Sequence, residues 1–249
     1  MAGAALLGGL IQPASLRWQP ARVVAVRTET PHAVTLALAV AEWPGHRAGQ
    51  HVDVRLTAED GYRAQRSYSI ASPPPASVLE ITVERLDDGE VSPWLAGEAR
   101  AADEFELRGP IGGYFVWDVP RGGPLLLVAG GSGLVPLMCI ERLRRAAAPE
   151  VPATLLVSAR DPEALIYAEE LYEGSAIVTY TREPPAGWTG YARRVDRAML
   201  SEVAPPPEQR PRCYVCGPTS FVEVVAEELV ALGHHRALIK TERFGATGG

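Results

Sequence analysis

Hydrophobic positions along the chain fall into two textures. Residues 17 to 119 carry short runs of β character: RVVAVRTE (22–29), VTLALAV (34–40), HVDVRL (51–56), RSYSIAS (66–72), LEITVERL (79–86), FELRG (105–109) and YFVWDV (114–119). Proline, glycine and acidic turns part them at the spacing of an antiparallel barrel or sandwich. One short helix is expected in this half, at Ser92-Pro93-Trp94-Leu95, with serine as N-cap and proline at the first helical position.

Beyond Pro120-Arg121-Gly122-Gly123-Pro124 apolar strands alternate with helix-length segments. LLLVAG (125–130) precedes a helix expected from Leu134 to Ala147, and TLLVSAR (154–160) precedes PEALIYAEEL (162–171). AIVTYTR (176–182) leads to a short helix near Asp196 to Val203, RCYVCGP (212–218) to one from Thr219 to Leu232, and ALIKTERF (237–244) closes the series. Such alternation predicts a doubly wound parallel α/β sheet covered on both faces. The expected organisation is a tail over residues 1–15, a β-barrel domain over 16–120 and an α/β domain over 121–249.

Composition narrows the classes. With 47% hydrophobic and 22% charged residues the chain reads as soluble and globular, and its net charge of -6 offers no footprint for nucleic acid. Of its 24 cations only Lys240 is not arginine, a bias that suits forked contacts with phosphate or carboxylate. No segment approaches the ~20 apolar residues of a membrane span, so no membrane insertion and a cytoplasmic location are expected. Three cysteines are one too few for a four-cysteine iron–sulfur cluster. Cys213-x-x-Cys216 has the spacing of a redox or zinc half-site, but it sits in a strand-like run and lacks two further ligands, so no metal is expected.

RSYSIASPP (66–74) places Arg66 and Tyr68 on one side of a strand and Ser67 and Ser69 on the other, neither a normal core face. In a doubly wound sheet, ligands bind beyond the carboxyl ends of the strands. That rule selects Gly130-Gly131-Ser132-Gly133, Ser158-Ala159-Arg160, Thr181-Arg182 with Arg193-Arg194 nearby, and Cys216-Gly217-Pro218. Glycines at a helix start suit an anion, or serve turn geometry alone, and the dinucleotide pattern G-x-G-x-x-G is not met. The arginines and hydroxyls fit a phosphate monoester or are solvated loop residues. Both pairs of alternatives stand on residues alone.

Taken in order, RSYS, GEVS (89–92), RGPIGGYF (108–115), GGSGLVP (130–136), CGP (216–218) and the late ERF (242–244) resemble the plant-type ferredoxin–NADP reductase superfamily over residues 16 to 245. The resemblance implies a Greek-key barrel binding FAD, followed by a nicotinamide-dinucleotide domain. It implies Arg66 at the flavin pyrophosphate with Ser67 beside it, Tyr68 against the isoalloxazine, and Ser69 near flavin N5. Thr82 and Val83 lie where the next strand meets the cofactor, and Gly89, Val91 and Ser92 resemble the second phosphate clamp. Gly131, Ser132, Ser158, Cys216, Gly217 and Pro218 match the nicotinamide-dinucleotide side. Glu242 and Phe244 match a terminal carboxylate and aromatic, although five residues follow Phe244 here.

Ser69, Cys216 and Glu242 are the implied catalytic group. Arg160, Thr181, Arg182 and Arg193 or Arg194 resemble a 2'-phosphate site, so NADPH is the expected donor and NADH the alternative. The implied function is electron transfer from NADPH through FAD to a separate ferredoxin, or another iron–sulfur or haem protein. A reductase of free flavin or small oxidants, and a non-catalytic FAD-holding subunit, are the competing expectations.

Overall fold

The computed structural model describes residues 16–244. The predicted 1–15 tail and the five residues after Phe244 lie outside the described residues. Six strands come first: β1 (Gln19–Thr30), β2 (Ala33–Val40), β3 (His51–Thr57), β4 (Arg63–Ser69), β5 (Leu79–Glu84) and β6 (Glu104–Ile111). They form an antiparallel sheet in the order β4-β3-β6-β1-β2-β5. A bridge between Ile70 and Ile81 joins its two edges, so the sheet closes on itself. Inward positions such as Leu36, Val54, Ile81 and Leu107 are fully buried and make the barrel core.

The helix α1 (Ser92–Gly97) forms where the sequence expects it, with a different start. Val91 is the N-cap and makes no side-chain cap; Ser92 is already helical, and its Oγ accepts from the Leu86 N–H at 3.1 Å. The run YFVWDV does not become a strand. Only a bridge from Trp117 to Ala48 forms, because Phe115 and Trp117 are packed between the sheets while Tyr114 is exposed. Phe115 meets Tyr214 edge-on at 5.3 Å, Tyr214 donates to the Val116 carbonyl at 2.9 Å, and Trp117 Nε1 donates to Gly122 O at 2.9 Å.

The second half holds β7 (Leu125–Gly130), α2 (Leu134–Ala147), β8 (Ala153–Ala159), α3 (Ala168–Glu173) and β9 (Ile177–Tyr180), then α4 (Arg197–Val203), β10 (Arg212–Pro218), α5 (Thr219–Ala231) and β11 (Ile239–Phe244). Its strands run parallel in the order β11-β10-β7-β8-β9. Both faces are covered, which is why β7 is an unbroken apolar run: Leu125 and Leu127 enter one core, Leu126 and Val128 the other. The stretch 162–171 is not one helix. Tyr167 takes a left-handed conformation at φ 59°, and α3 starts only after it.

Alternation also settles the cysteine pair. Cys213 packs into one core and Cys216 into the other, so the two thiols lie on opposite faces of β10. All three cysteines are free and buried. No described helix is long and apolar enough to cross a membrane.

The turn from β7 into α2 passes very close to the backbone of β10. A Cβ at Gly133 would lie 2.3 Å from the Cys216 carbonyl oxygen, whereas Gly131, at φ 55°, has nothing within 4 Å. Gly133→Ala is therefore expected to destabilise by about 3 kcal/mol or prevent folding, and Gly131→Ala by about 1 kcal/mol, its cost being only the left-handed backbone. Thermal unfolding of the two variants side by side checks the difference; similar midpoints would refute the close-approach argument.

Candidate functional site

Two adjoining cavities lie where the barrel edge faces the carboxyl ends of the parallel strands. The first, of ≈ 460 Å³, is walled by β4, β5 and the 86–92 turn; the second, of ≈ 650 Å³, by the ends of β7, β8 and β9 and by the first turns of α5. Glu84, Leu86, Ser132 and Phe244 line both.

In the first cavity the structure gathers Arg66, Ser67, Tyr68 and Ser69 of β4, Thr82 of β5, and Gly89, Val91 and Ser92. The Arg66 guanidinium is half-exposed, 3.5 Å from the Glu90 carboxylate. Ser67 donates to Asp53 at 2.6 Å, and Asp53 also receives Arg108 at 2.9 Å. Tyr68 packs on the barrel core; burial pushes its phenol well up, against an opposing pull from Arg66, so it stays neutral. Ser69 is buried at the end of β4. Val83 points the other way, fully buried in the barrel core, because neighbouring residues of a strand face opposite sides. Its side chain is not at the cavity.

In the second cavity stand Gly131, Ser132, Ser158, Arg160, Thr181 and Pro218. Arg194 lines it rather than Arg193, which is paired with Asp196 and stacked over Tyr191 at 5.5 Å. Arg182 is exposed and outside the lining. Gly217, at φ 154°, lets β10 come against Gly130, where a Cβ would lie 2.9 Å from the Gly130 oxygen. Arg160 reaches back across the seam to Glu84 at 3.8 Å.

Cys216 lines neither cavity and is fully buried, with Glu242 as its direct strand neighbour. Burial, with Glu242 adding to it, pushes the Cys216 thiol well above its usual value, so it is a neutral thiol and no nucleophile at pH 7. Glu242 Oε2 is buried without a hydrogen-bond partner among the described residues, and burial raises its carboxyl to about 7. Phe244, paired in register with Pro218, sits at the junction of the two cavities. Glu84, Leu86 and Phe221 are lining residues that sequence motifs did not single out, whereas Arg194 was one of the two arginines expected there. Phe221 had a signal, since it lies in the first turn of a helix that opens at a strand end.

The oxidoreductase FAD-binding domain family matches residues 28–116, and the oxidoreductase NAD-binding domain family matches residues 127–227. The chain belongs to the ferredoxin reductase-like flavoproteins. It is 33% identical over 214 residues to the glycine betaine monooxygenase reductase subunit of Chromohalobacter salexigens, covering 81% of this chain and 56% of that relative. The NADH oxidoreductase HCR of Escherichia coli is 30% identical over 212 residues, 84% of this chain and 63% of the relative. The chain thus spans little more than half the length of the first of these relatives. Among solved structures, the FAD/NAD-binding domain of a nitric oxide dioxygenase from Vibrio cholerae superposes with a TM-score of 0.79 at 25% identity, over 91% of this chain and 98% of that one.

The residues present fit the two groups that such flavoproteins bind. The first cavity offers a flat ring at Tyr68, a cation at Arg66 and hydroxyls at Ser69 and Ser92, a set suited to a ring system carrying a pyrophosphate. The second offers an arginine and hydroxyl wall with an apolar floor at Phe221. The orphaned Glu242 oxygen, two residues before Phe244 on β11, is a buried polar group without a protein partner among the described residues, but Glu242 lines neither cavity.

The raised Glu242 carboxyl has a measurable linkage. Its folded value of about 7 exceeds the ordinary 4.5, so the folded state holds the proton more tightly, and stability is expected to fall as pH rises from about 4.5 through about 7. Discounted for partial exposure, the loss is about 1–3 kcal/mol. Glu242→Gln should match the parent's unfolding midpoint near pH 4.5 and exceed it at pH 8; parallel curves across that range would show that Glu242 is not the titrating group.

Proposed function

We propose that this chain is an NADPH-dependent flavoprotein reductase that passes electrons through FAD to a separate one-electron acceptor protein, a ferredoxin or another iron–sulfur or haem protein. The observation that carries this reading is the pair of adjoining cavities, one on each sheet, sharing Ser132 and Phe244 at their junction. In this reading residues 16–120 form the FAD-binding domain and residues 121–249 the nicotinamide-dinucleotide domain. The relatives support the acceptor: the C. salexigens protein is named a reductase subunit of a monooxygenase.

FAD, when bound, accepts a hydride and releases electrons singly, chemistry that side chains lack. The chain's own residues do the positioning. Arg66 and the 89–92 turn bind the pyrophosphate, with the guanidinium exchanging Glu90 for phosphate oxygens. Tyr68 supplies a neutral flat face on the barrel side. Ser69 offers a hydroxyl near the reacting edge. Phe244 covers the junction and excludes water, and its displacement admits the nicotinamide. Cys216 backs the site as an uncharged, polarizable neighbour, while Glu242 holds or yields a proton near pH 7. Bringing donor and acceptor atoms to roughly 3–3.5 Å is where such a site gains most of its rate.

Ser158, Arg160, Thr181 and Arg194 support NADPH as the donor, since arginine forks and hydroxyls suit a phosphate monoester. Arg182 and Arg193 stand close in sequence but outside the lining, so Arg194 takes precedence here.

The deciding experiment is anaerobic mixing of the purified yellow protein with NADPH and with NADH, followed through the flavin absorbance, and then turnover with candidate acceptor proteins. Rapid bleaching by NADPH, with reoxidation by an acceptor protein, is the expected result; no bleaching by either coenzyme refutes the reading. Ser69→Ala should slow single-turnover flavin reduction by ~10 to 100-fold, as for loss of one positioned hydrogen bond. An unchanged rate in that variant removes Ser69 from the reaction. Arg194→Ala should raise KM for NADPH about ten-fold and leave KM for NADH nearly unchanged; equal effects on both coenzymes would overturn the NADPH assignment.

A further inference from the structure

Three buried hydroxyls touch in series at the seam between the two sheets. Thr35 of β2 and Thr82 of β5 are cross-strand partners, with their Oγ1 atoms 2.7 Å apart. Thr82 Oγ1 also contacts the Tyr167 hydroxyl, and Thr35 Oγ1 lies 2.6 Å from Glu29 Oε1. None of the three is more than 5% exposed.

Each hydroxyl owns a single proton, so the direction of the chain is decided at the end that has no choice. A carboxylate only accepts, and Glu29 is engaged as one by Arg27, whose Nε lies 2.8 Å from Oε1. Thr35 therefore donates to Glu29. With its proton spent, Thr35 can only accept from Thr82, and Thr82 in turn can only accept from Tyr167. Donation runs one way, Tyr167 to Thr82 to Thr35 to Glu29.

Thr82 is also part of the wall of the first cavity. Its proton goes inward to Thr35 and one lone pair is taken by Tyr167, which leaves one lone pair for the cavity. We propose that Thr82 faces the flavin solely as a hydrogen-bond acceptor and so selects an N–H of the isoalloxazine ring, with Glu29 and Thr35 as the positioning residues that hold this polarity. The inference rests on the FAD reading above. An oxidised isoalloxazine has one N–H, at N3, and its other polar ring atoms are acceptors that a donating hydroxyl would suit instead.

The far end of the chain is held in place too. Tyr167 keeps its left-handed backbone at a cost of about 1–2 kcal/mol, and the Arg142 guanidinium stacks 4.5 Å from the centre of its ring. Both features aim the phenol at Thr82, so the strand partner and the second domain fix the threonine from opposite sides.

The test compares affinities of the deflavinated full chain for FAD and for N3-methyl-FAD, measured by flavin fluorescence, in the parent and in Thr82→Val, Thr82→Ser and Thr35→Val. The parent should favour FAD by about three- to ten-fold, the effect of one buried hydrogen bond. Thr82→Ser keeps the hydroxyl and should keep the preference, which shows that the packing is tolerated. Thr82→Val should lose most of it. Thr35→Val frees the Thr82 proton to turn toward the cavity and should reduce the preference as well. Equal discrimination in the parent and Thr82→Val overturns the proposal while leaving the FAD reading intact, whereas a parent chain that binds neither flavin overturns both.

Discussion

The site depends first on Arg142. This guanidinium projects from α2, pairs with Glu170 at 2.6 Å, donates to the Ala71 carbonyl at 2.9 Å and stacks on Tyr167. Ala71 lies just beyond the RSYS stretch, so a side chain of the second half grips the backbone that shapes the first cavity. The side chain is mostly buried, and a buried cation is tolerable only because every side of it has a partner. Cys139 adds to the grip by donating to the Ser72 carbonyl. With the Thr82–Tyr167, Arg160–Glu84 and Tyr214–Val116 contacts, this grip holds the two cavities in register.

Apart from the Arg142–Glu170 ion pair, other buried groups near the seam favour their neutral forms. Tyr68, Cys216 and Glu242 all have their charged forms disfavoured, each with burial as the leading cause. Charges are placed at the periphery instead, at Arg66 with Glu90 and at Arg160 with Glu84. This division suits a ligand that is an uncharged ring system at one end and a pyrophosphate or phosphate at the other. Both peripheral arginines lie against carboxylates at the rims of the cavities.

Much of this was legible along the chain. The change of texture at 120–124 separates antiparallel from parallel strands, and the spans of β7, α2 and β10 follow from apolar runs and glycine turns. The β4 wall of the first cavity follows from one irregular strand, since Arg66, Tyr68 and Ser69 do not make a normal core face. Where local inference missed, a tertiary contact had overridden a local preference. The β-prone run 114–119 gave up pairing to place Phe115 and Trp117 between the sheets. Ser92, a favourable N-cap by type, turned its hydroxyl to the Leu86 amide. Tyr167 broke an expected helix to reach Thr82.

What the amino-acid sequence determined by itself is the class of each half and the residue types available to a ligand, because periodicity and turn chemistry act over a few neighbouring residues. Which of those residues meet was decided only by the tertiary structure. Arg193 and Arg194 are adjacent and alike, yet one closes an ion pair with Asp196 while the other lines a cavity. Thr82 and Val83 are adjacent as well, and the pleat sends one to the seam and the other to the core. The direction in which the Thr82 proton points depends on Glu29, 53 residues earlier, and on Tyr167, 85 residues later. A hydrogen-bond chain of that kind is a property of juxtaposition, and local preferences along the chain carry no record of it.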